Sequence, residues 1–141
     1  VQAFHFRARD KAIRLKVNLK PNVPVVHGDI GMMQRVLENL LENALRHTPP
    51  NGQVTISVRV DAGRVAVRVS DSGPGITQES VRSIFDRFYQ HDSSGGEDGG
   101  SGLGLAIVKR ILELHGSTIE VDSGKGRGTT FSFQLEKESP A

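Results

Sequence analysis

Apolar residues alternate with polar ones in several short stretches of the chain, a spacing that predicts strands with one buried face. Five stretches show it: residues 12–20, 54–60, 65–69, 118–122 and 129–135. Turns that contain glycine separate the second stretch from the third and the fourth from the fifth. We therefore expect two hairpins and one further strand.

A second spacing, with apolar residues three or four positions apart, predicts helices over residues 29–47, 77–84 and 103–115. Residues 91–101 are rich in glycine, serine and acids, which predicts a mobile loop, and residues 137–141 are expected to form a frayed tail. Amphipathic helices beside hairpins favour a two-layer α/β sandwich. In it, about three helices would cover one face of a mixed, mostly antiparallel sheet.

Length and composition narrow the class of protein. A chain of 141 residues fits one domain, which we place at residues 1–136. It has no cysteine, so no disulfide framework or cysteine-ligated zinc is expected, and a cytoplasmic location is the default. No apolar run reaches the roughly 18 residues of a membrane span, so we expect no membrane contact by this domain and any anchor of the parent protein outside it. The 18 basic and 16 acidic residues are scattered, which argues against a nucleic-acid partner.

Asn39, Asn43 and Arg46 form a polar row along the helix predicted over residues 29–47, because spacings of four and three residues bring them to one side. An asparagine carbonyl oxygen suits Mg²⁺, which often takes the rest of its shell from water and substrate phosphates. A solvated helix edge would show the same row.

Two glycine-rich segments can bring the backbone close to a ligand. Residues 71–75 follow a predicted strand, where Asp71 can accept a hydrogen bond from an exocyclic amino group; the alternative is an ordinary turn. Residues 99–105 lead into a helix, and backbone N–H groups at such a junction bind phosphate; the alternative is a flexible linker. A dinucleotide fingerprint is excluded, since it would need glycine at Leu105.

In this order, the segments resemble the GHKL superfamily of gyrase, heat-shock chaperone, histidine kinase and MutL, and most closely the ATP-binding catalytic domains of sensor histidine kinases. Four family motifs are legible: the N box at residues 39–44, the first glycine box at 71–76, the F box at 84–89 and the second glycine box at 100–108. The resemblance implies the Bergerat fold, with residues 91–101 as a lid over ATP. It further implies transfer of the γ-phosphoryl group to a histidine on a dimerisation and phosphoacceptor domain absent from this chain, with a response regulator downstream.

The resemblance also implies roles for single residues. Asn43 would hold Mg²⁺, and Asn39 and Arg46 would approach the phosphates. Asp71 would accept from the adenine amino group, and Thr129 would help to hold adenine through water. The implied ATP-binding set is Asn39, Asn43, Arg46, His47, Asp71, Gly73, Gly75, Ile76, Gly100, Gly102, Leu103, Gly104, Leu105 and Thr129. The implied catalytic residues are Asn39, Arg46 and Arg87.

Two positions depart from relatives. Asn39 stands where the hydrolysing members carry a glutamate that activates water, which argues against an ATPase. Gln90 follows the F box where close relatives often have arginine, so Arg87 is the nearest candidate for the cation at the γ-phosphate. None of the five histidines has the family's phosphoacceptor motif, which supports a separate acceptor domain.

Two other classes of function stay open at this point. A degenerate kinase domain would sense nucleotide through its lid without transferring phosphate, and Gln90 is the sequence argument for it. Another GHKL branch, an ATPase or an anti-sigma serine kinase, would use the same fold. Asn39 and the short acidic lid count against the ATPase.

Overall fold

The computed structural model describes residues 2–19, 30–61, 63–77, 81, 83–86, 104–124 and 126–136. The helices whose bounds fall within these residues are α1 (Gln2–Asp10), α2 (Ile30–His47) and α3 (Gly104–Leu114). Its strands are β1 (Arg14–Leu19), β2 (Gln53–Asp61), β3 (Arg64–Asp71), β4 (Glu120–Ser123) and β5 (Thr129–Glu136). The predicted lid at 91–101 and tail at 137–141 lie outside the described residues.

The described strands form one sheet of five, in the order β1-β2-β3-β5-β4. β1 runs parallel to β2, and each of the other three neighbouring pairs is antiparallel. The two predicted hairpins, β2–β3 and β4–β5, are both present. β5 lies between β3 and β4, so the end of β3, the start of β5 and the end of β4 lie side by side.

The core lies between one face of this sheet and the helices. Val67 and Val69 of β3 are buried on that face beside Phe133 and Phe131, their register partners on β5. The apolar stripe predicted for α2 is buried against them: Val36, Leu40, Leu41, Ala44 and Leu45 are all in the core, with Leu37 partly buried beside it. The prediction of a two-layer sandwich with a mixed sheet is confirmed.

Helix α1 was not predicted from the sequence. It is nine residues long, has no acidic residue in its first turn, and carries no strong apolar stripe. It is stabilised by tertiary contacts, since Ala8 is buried in the core and Arg7 lies 3.5 Å from Glu42 of α2. Short or weakly amphipathic helices depend on such contacts more than on their own propensity.

After β3, the first residues of the F box pack into the core. Val81 and Ser83 are helical, in agreement with the short helix predicted over residues 77–84; residues 78–80 and 82 of that range lie outside the described residues. Ile84 is buried, and the ring of Phe85 packs edge-on against Phe131, with 6.0 Å between ring centroids. No helix in the described ranges is long and apolar enough to cross a membrane.

Candidate nucleotide-binding site

Polar side chains end the apolar rows of the sheet at one edge. On β3, the inward positions Val65, Val67 and Val69 are followed by Asp71. Asp71 pairs in register with Thr129 on β5, and Thr129 pairs with Ser123 on β4. Residues paired across strands share a face, so a row of three polar residues crosses the core-facing side of this edge.

The carboxylate of Asp71 is held by backbone donors from two segments. Its Oδ1 accepts a hydrogen bond of 2.9 Å from the N–H of Gly73, and the backbone N–H of Thr129 donates to it as well. Burial raises the pKa of Asp71 above 3.8, and these two hydrogen bonds partly offset the rise. The carboxylate is therefore fixed in position and partly removed from water.

The glycines around Asp71 allow three backbone segments to meet. A Cβ atom on Gly128 would lie 2.1 Å from the carbonyl oxygen of Asp71, and one on Gly75 would lie 2.1 Å from that of Gly124. Both glycines have positive φ, at +76° and +79°, a conformation that disfavours other residues. At Gly73, a Cβ would lie 2.5 Å from the carbonyl oxygen of His47. These contacts join the turn after β3 to the β4–β5 turn and to the end of α2.

Helix α2 ends beside that turn, and two side chains donate to two of the carbonyl groups of its last turn. Thr48 Oγ1 donates to the carbonyl of Ala44 at 2.7 Å, and Lys11 Nζ donates to the carbonyl of Leu45. Arg46 and His47 are both half-buried in the last turn. They line an open cavity of about 620 Å³ together with Lys11, Thr48, Pro49, Pro50, Ser72, Gly73 and Pro74.

The start of α3 meets the middle of α2. A Cβ on Gly104 would lie 3.3 Å from Asn39 Oδ1, so the first residue of α3 sits against that amide. The N-terminus of a helix carries partial positive charge and unpaired N–H groups, which favour phosphate. Asn39, Asn43 and Arg46 are each half-buried, so the row on α2 borders the packed side of the helix and is not a fully solvated edge.

The structure brings most of the predicted site residues to one side of the domain. Three segments meet there: the C-terminal half of α2, the turn after β3, and the β4–β5 end of the sheet. The cavity touches Arg46, His47 and Gly73, but Asn39, Asn43 and Asp71, all described, do not line it. Four predicted residues lie outside the described ranges: Arg87, Gly100, Gly102 and Leu103.

Sequence reasoning missed two residues of this region. Ser123 is buried at the end of β4 and hydrogen-bonds to both neighbouring segments; its place before a glycine turn, opposite Thr129 in a predicted hairpin, was the available signal. Lys11 reaches the end of α2 from 34 residues earlier in the chain, and no local pattern indicates that.

Within the described residues, no three histidine, cysteine or acidic side chains form a cluster able to hold a metal ion. The candidate ligand for Mg²⁺ is the neutral amide of Asn43, and neutral amides cannot balance a divalent charge alone. A cation there would depend on the phosphates of a bound ligand, which is the manner in which Mg²⁺ is commonly bound.

Comparison with known proteins identifies the family to which the chain belongs. A family model described as "Histidine kinase-, DNA gyrase B-, and HSP90-like ATPase" matches residues 28–139. Sensor protein DivL of Caulobacter vibrioides is 42% identical over 129 residues, which is 91% of this chain and 16% of DivL. Sensor protein kinase PmrB of Pseudomonas aeruginosa is 43% identical over 136 residues, 95% of this chain and 28% of PmrB. The chain thus spans less than a third of the length of these relatives.

Solved structures give the same assignment. The catalytic domain of histidine kinase ThkA, in a nucleotide-free form, superposes with a TM-score of 0.83 at 30% identity, covering 96% of this chain and 86% of that one. Full-length ShkA in complex with AMPPNP superposes with a TM-score of 0.83 at 30% identity, covering 99% of this chain and 29% of that one. The chain belongs to the histidine kinase-, DNA gyrase B- and HSP90-like ATPase family, and within it to the catalytic domains of sensor histidine kinases.

Proposed function

We infer that this domain binds ATP with Mg²⁺ and donates the γ-phosphoryl group to a histidine on a separate dimerisation and phosphoacceptor domain, as one step of two-component signalling. The observation that carries the proposal is the carboxylate of Asp71, which is partly buried and fixed by backbone N–H groups from two segments. AMPPNP, bound in the similar structure of ShkA, is an ATP analogue with the same base and charge pattern.

Adenine recognition would depend on Asp71. An ionised carboxylate only accepts hydrogen bonds, and adenine presents an amino donor where guanine presents a carbonyl acceptor. The backbone donors that hold the carboxylate prevent it from turning away from a mismatched base. The site would therefore select ATP by the edge of its base.

The phosphates would lie between α2 and the start of α3. Arg46 supplies a positive charge, Asn39 lies against Gly104, and the N-terminus of α3 supplies partial positive charge. Asn43 would hold the metal ion, which when bound supplies charge neutralisation for the phosphates. These residues would orient the γ-phosphoryl group and stabilise its charge.

Transfer to histidine would form a bond from phosphorus to an imidazole nitrogen as the bond to the ADP oxygen breaks. The protein's contribution is positioning, because phosphoryl transfer needs little covalent chemistry from the enzyme. The amide of Asn39 cannot accept a proton from water as a glutamate would. We therefore expect slow hydrolysis of ATP by the domain alone.

The test is to incubate the domain with γ-labelled ATP and Mg²⁺, with and without the phosphoacceptor domain of its own parent protein. The expected result is a label on the acceptor domain that is stable in alkali and labile in acid, with little free phosphate when the acceptor is left out. Rapid phosphate release by the domain alone would move it to the ATPase branch. ATP binding without any label on the acceptor would contradict the kinase assignment and favour a nucleotide-sensing module.

A further inference from the structure

Ser123 connects the three segments that surround the predicted adenine site. Its side chain is 4% exposed, at the last position of β4. Its Oγ accepts a hydrogen bond of 2.8 Å from the N–H of Ile76, in the first glycine box. It also lies 3.0 Å from the carbonyl oxygen of Gly128 and 2.9 Å from Thr129 Oγ1.

The contacts of Ser123 with Gly128 and Thr129 together indicate a direction for each hydroxyl proton. A carbonyl oxygen only accepts, so the bond to Gly128 uses the single proton of Ser123. With that proton directed at Gly128, the bond between Ser123 and Thr129 uses the proton of Thr129. Thr129 is left with its lone pairs for any other partner.

Thr129 lies on the core-facing side of the sheet beside Asp71, its register partner. With its proton directed at Ser123, Thr129 meets a ligand or a bridging water as an acceptor, as the ionised carboxylate of Asp71 does. Two acceptors side by side favour a base edge that donates. The preference for an amino group over a carbonyl would thus be set by the pair and not by Asp71 alone.

We propose that Ser123 is a positioning residue for nucleotide selection: it directs the hydroxyl proton of Thr129 away from the base and so strengthens the preference for a 6-amino purine. This rests on the ATP site proposed above. Removal of the Ser123 hydroxyl group frees the proton of Thr129, which can then turn toward the ligand and donate to a 6-carbonyl group. The predicted effect is on selectivity, and a purely structural role would not change selectivity.

The chain offers a matched control. Ser70 Oγ and Thr130 Oγ1 form a second hydroxyl pair between β3 and β5, at 3.0 Å. Ser70 and Thr130 are the chain neighbours of Asp71 and Thr129, so their side chains point to the opposite face of the sheet. Ser70→Ala removes the same kind of hydrogen bond from the same two strands without touching the proposed site.

The experiment measures the affinities of ATP, inosine triphosphate and purine riboside triphosphate, which carry an amino group, a carbonyl group and hydrogen at position 6. In Ser123→Ala, the ratio of ATP to inosine triphosphate affinity should fall about three- to tenfold, the effect of about one hydrogen bond. Affinity for purine riboside triphosphate should stay unchanged, and Ser70→Ala should keep the wild-type ratio. Equal weakening of all three nucleotides by Ser123→Ala, or an unchanged ratio, would overturn the inference.

Two further comparisons keep the result interpretable. Ser123→Cys keeps the shape of the side chain and weakens its hydrogen bonds, so its ratio should lie between wild type and Ser123→Ala. If Ser123→Ala does not fold, Ser123→Cys takes its place. A ratio of ATP to inosine triphosphate affinity equal to that of wild type in Ser123→Cys would overturn the inference. A wild-type protein that does not prefer ATP to inosine triphosphate would overturn the proposed adenine site itself. A preference that depends on Asp71 but not on Ser123 would overturn this inference alone.

Discussion

The backbone N–H of Thr129 donates a hydrogen bond to the carboxylate of Asp71, its register partner across β3 and β5. The final strand of the domain therefore holds the side chain that the first glycine box presents. Burial of this carboxylate raises its pKa, so its ionised form is costly in the folded protein. A group that costs folding free energy but is firmly fixed is characteristic of binding sites.

We expect Asp71→Asn to separate binding from stability. Loss of the carboxylate should weaken ATP binding about 10- to 100-fold, the effect of a hydrogen bond to a charged group. The neutral amide avoids the burial cost of the charge, so the free energy of unfolding should be equal to or higher than that of wild type. Isothermal titration and urea unfolding measure the two. Asp10→Asn, at an exposed position, is the control and should change neither.

The stability difference between Asp71→Asn and wild type should depend on pH in a fixed direction. Because the folded-state pKa of Asp71 is raised above 3.8, its contribution to stability is fully present below the unfolded value and is lost as pH rises through the folded value. The extra unfolding free energy of Asp71→Asn over wild type should therefore be largest at neutral pH and shrink on acidification toward pH 3.8. Unfolding free energies measured across this range test it, and an advantage that grows on acidification would contradict the assigned burial cost.

Two glycines of the β4–β5 turn should respond differently to alanine. Gly126 and Gly128 both have positive φ, at +81° and +76°. A Cβ on Gly126 meets nothing within 4 Å, whereas one on Gly128 would lie 2.1 Å from the carbonyl oxygen of Asp71. Gly126→Ala should cost about 1 kcal/mol of unfolding free energy. Gly128→Ala should cost about 3 kcal/mol or more and abolish ATP binding. Similar losses of unfolding free energy in the two variants would contradict the close packing of Gly128 against Asp71.

We expect Asn43 to be the protein ligand of the Mg²⁺ ion that raises the affinity for ATP. If its amide oxygen holds Mg²⁺ beside the phosphates, Asn43→Ala should remove the gain in ATP affinity that Mg²⁺ produces, with little change in affinity in the presence of a chelator. Titrations with ATP in magnesium and in chelator, on both proteins, give the comparison. Gln34→Ala, at an exposed position of α2, is the control. A variant as dependent on magnesium as wild type would show that Asn43 belongs only to the helix edge.

The sheet and its helices could be predicted from the sequence because each strand and helix carries its own local pattern. The alternation around Val67 and Val69 reflects a half-buried strand, and the stripe of α2 reflects one packed face. Helix α1 could not be predicted in this way. Its stability comes mainly from burial of Ala8 and part of Phe4 against the core, and the half-exposed ion pair of Arg7 with Glu42 adds little; these are contacts between distant parts of the chain.

The candidate site was predictable only in part for the same reason. Asp71 and its glycines form a continuous motif, and the sequence indicates them directly. The role of Ser123 depends on hydrogen bonds to Ile76 and Thr129, which come together only when β4 and β5 pair and the first glycine box packs against them. Hydrogen bonds between side chains of separate segments leave no periodicity in the sequence.

The most direct test of the account is the relative affinity of the wild-type domain for ATP and GTP, each titrated with Mg²⁺. Guanine sets a carbonyl acceptor and adenine an amino donor against the fixed carboxylate of Asp71. We predict that ATP binds about 100-fold or more tightly than GTP, and that Asp71→Asn, whose amide can donate as well as accept, narrows this ratio. Equal affinities of the wild-type domain for the two nucleotides would contradict the role of Asp71 and the adenine site built on it.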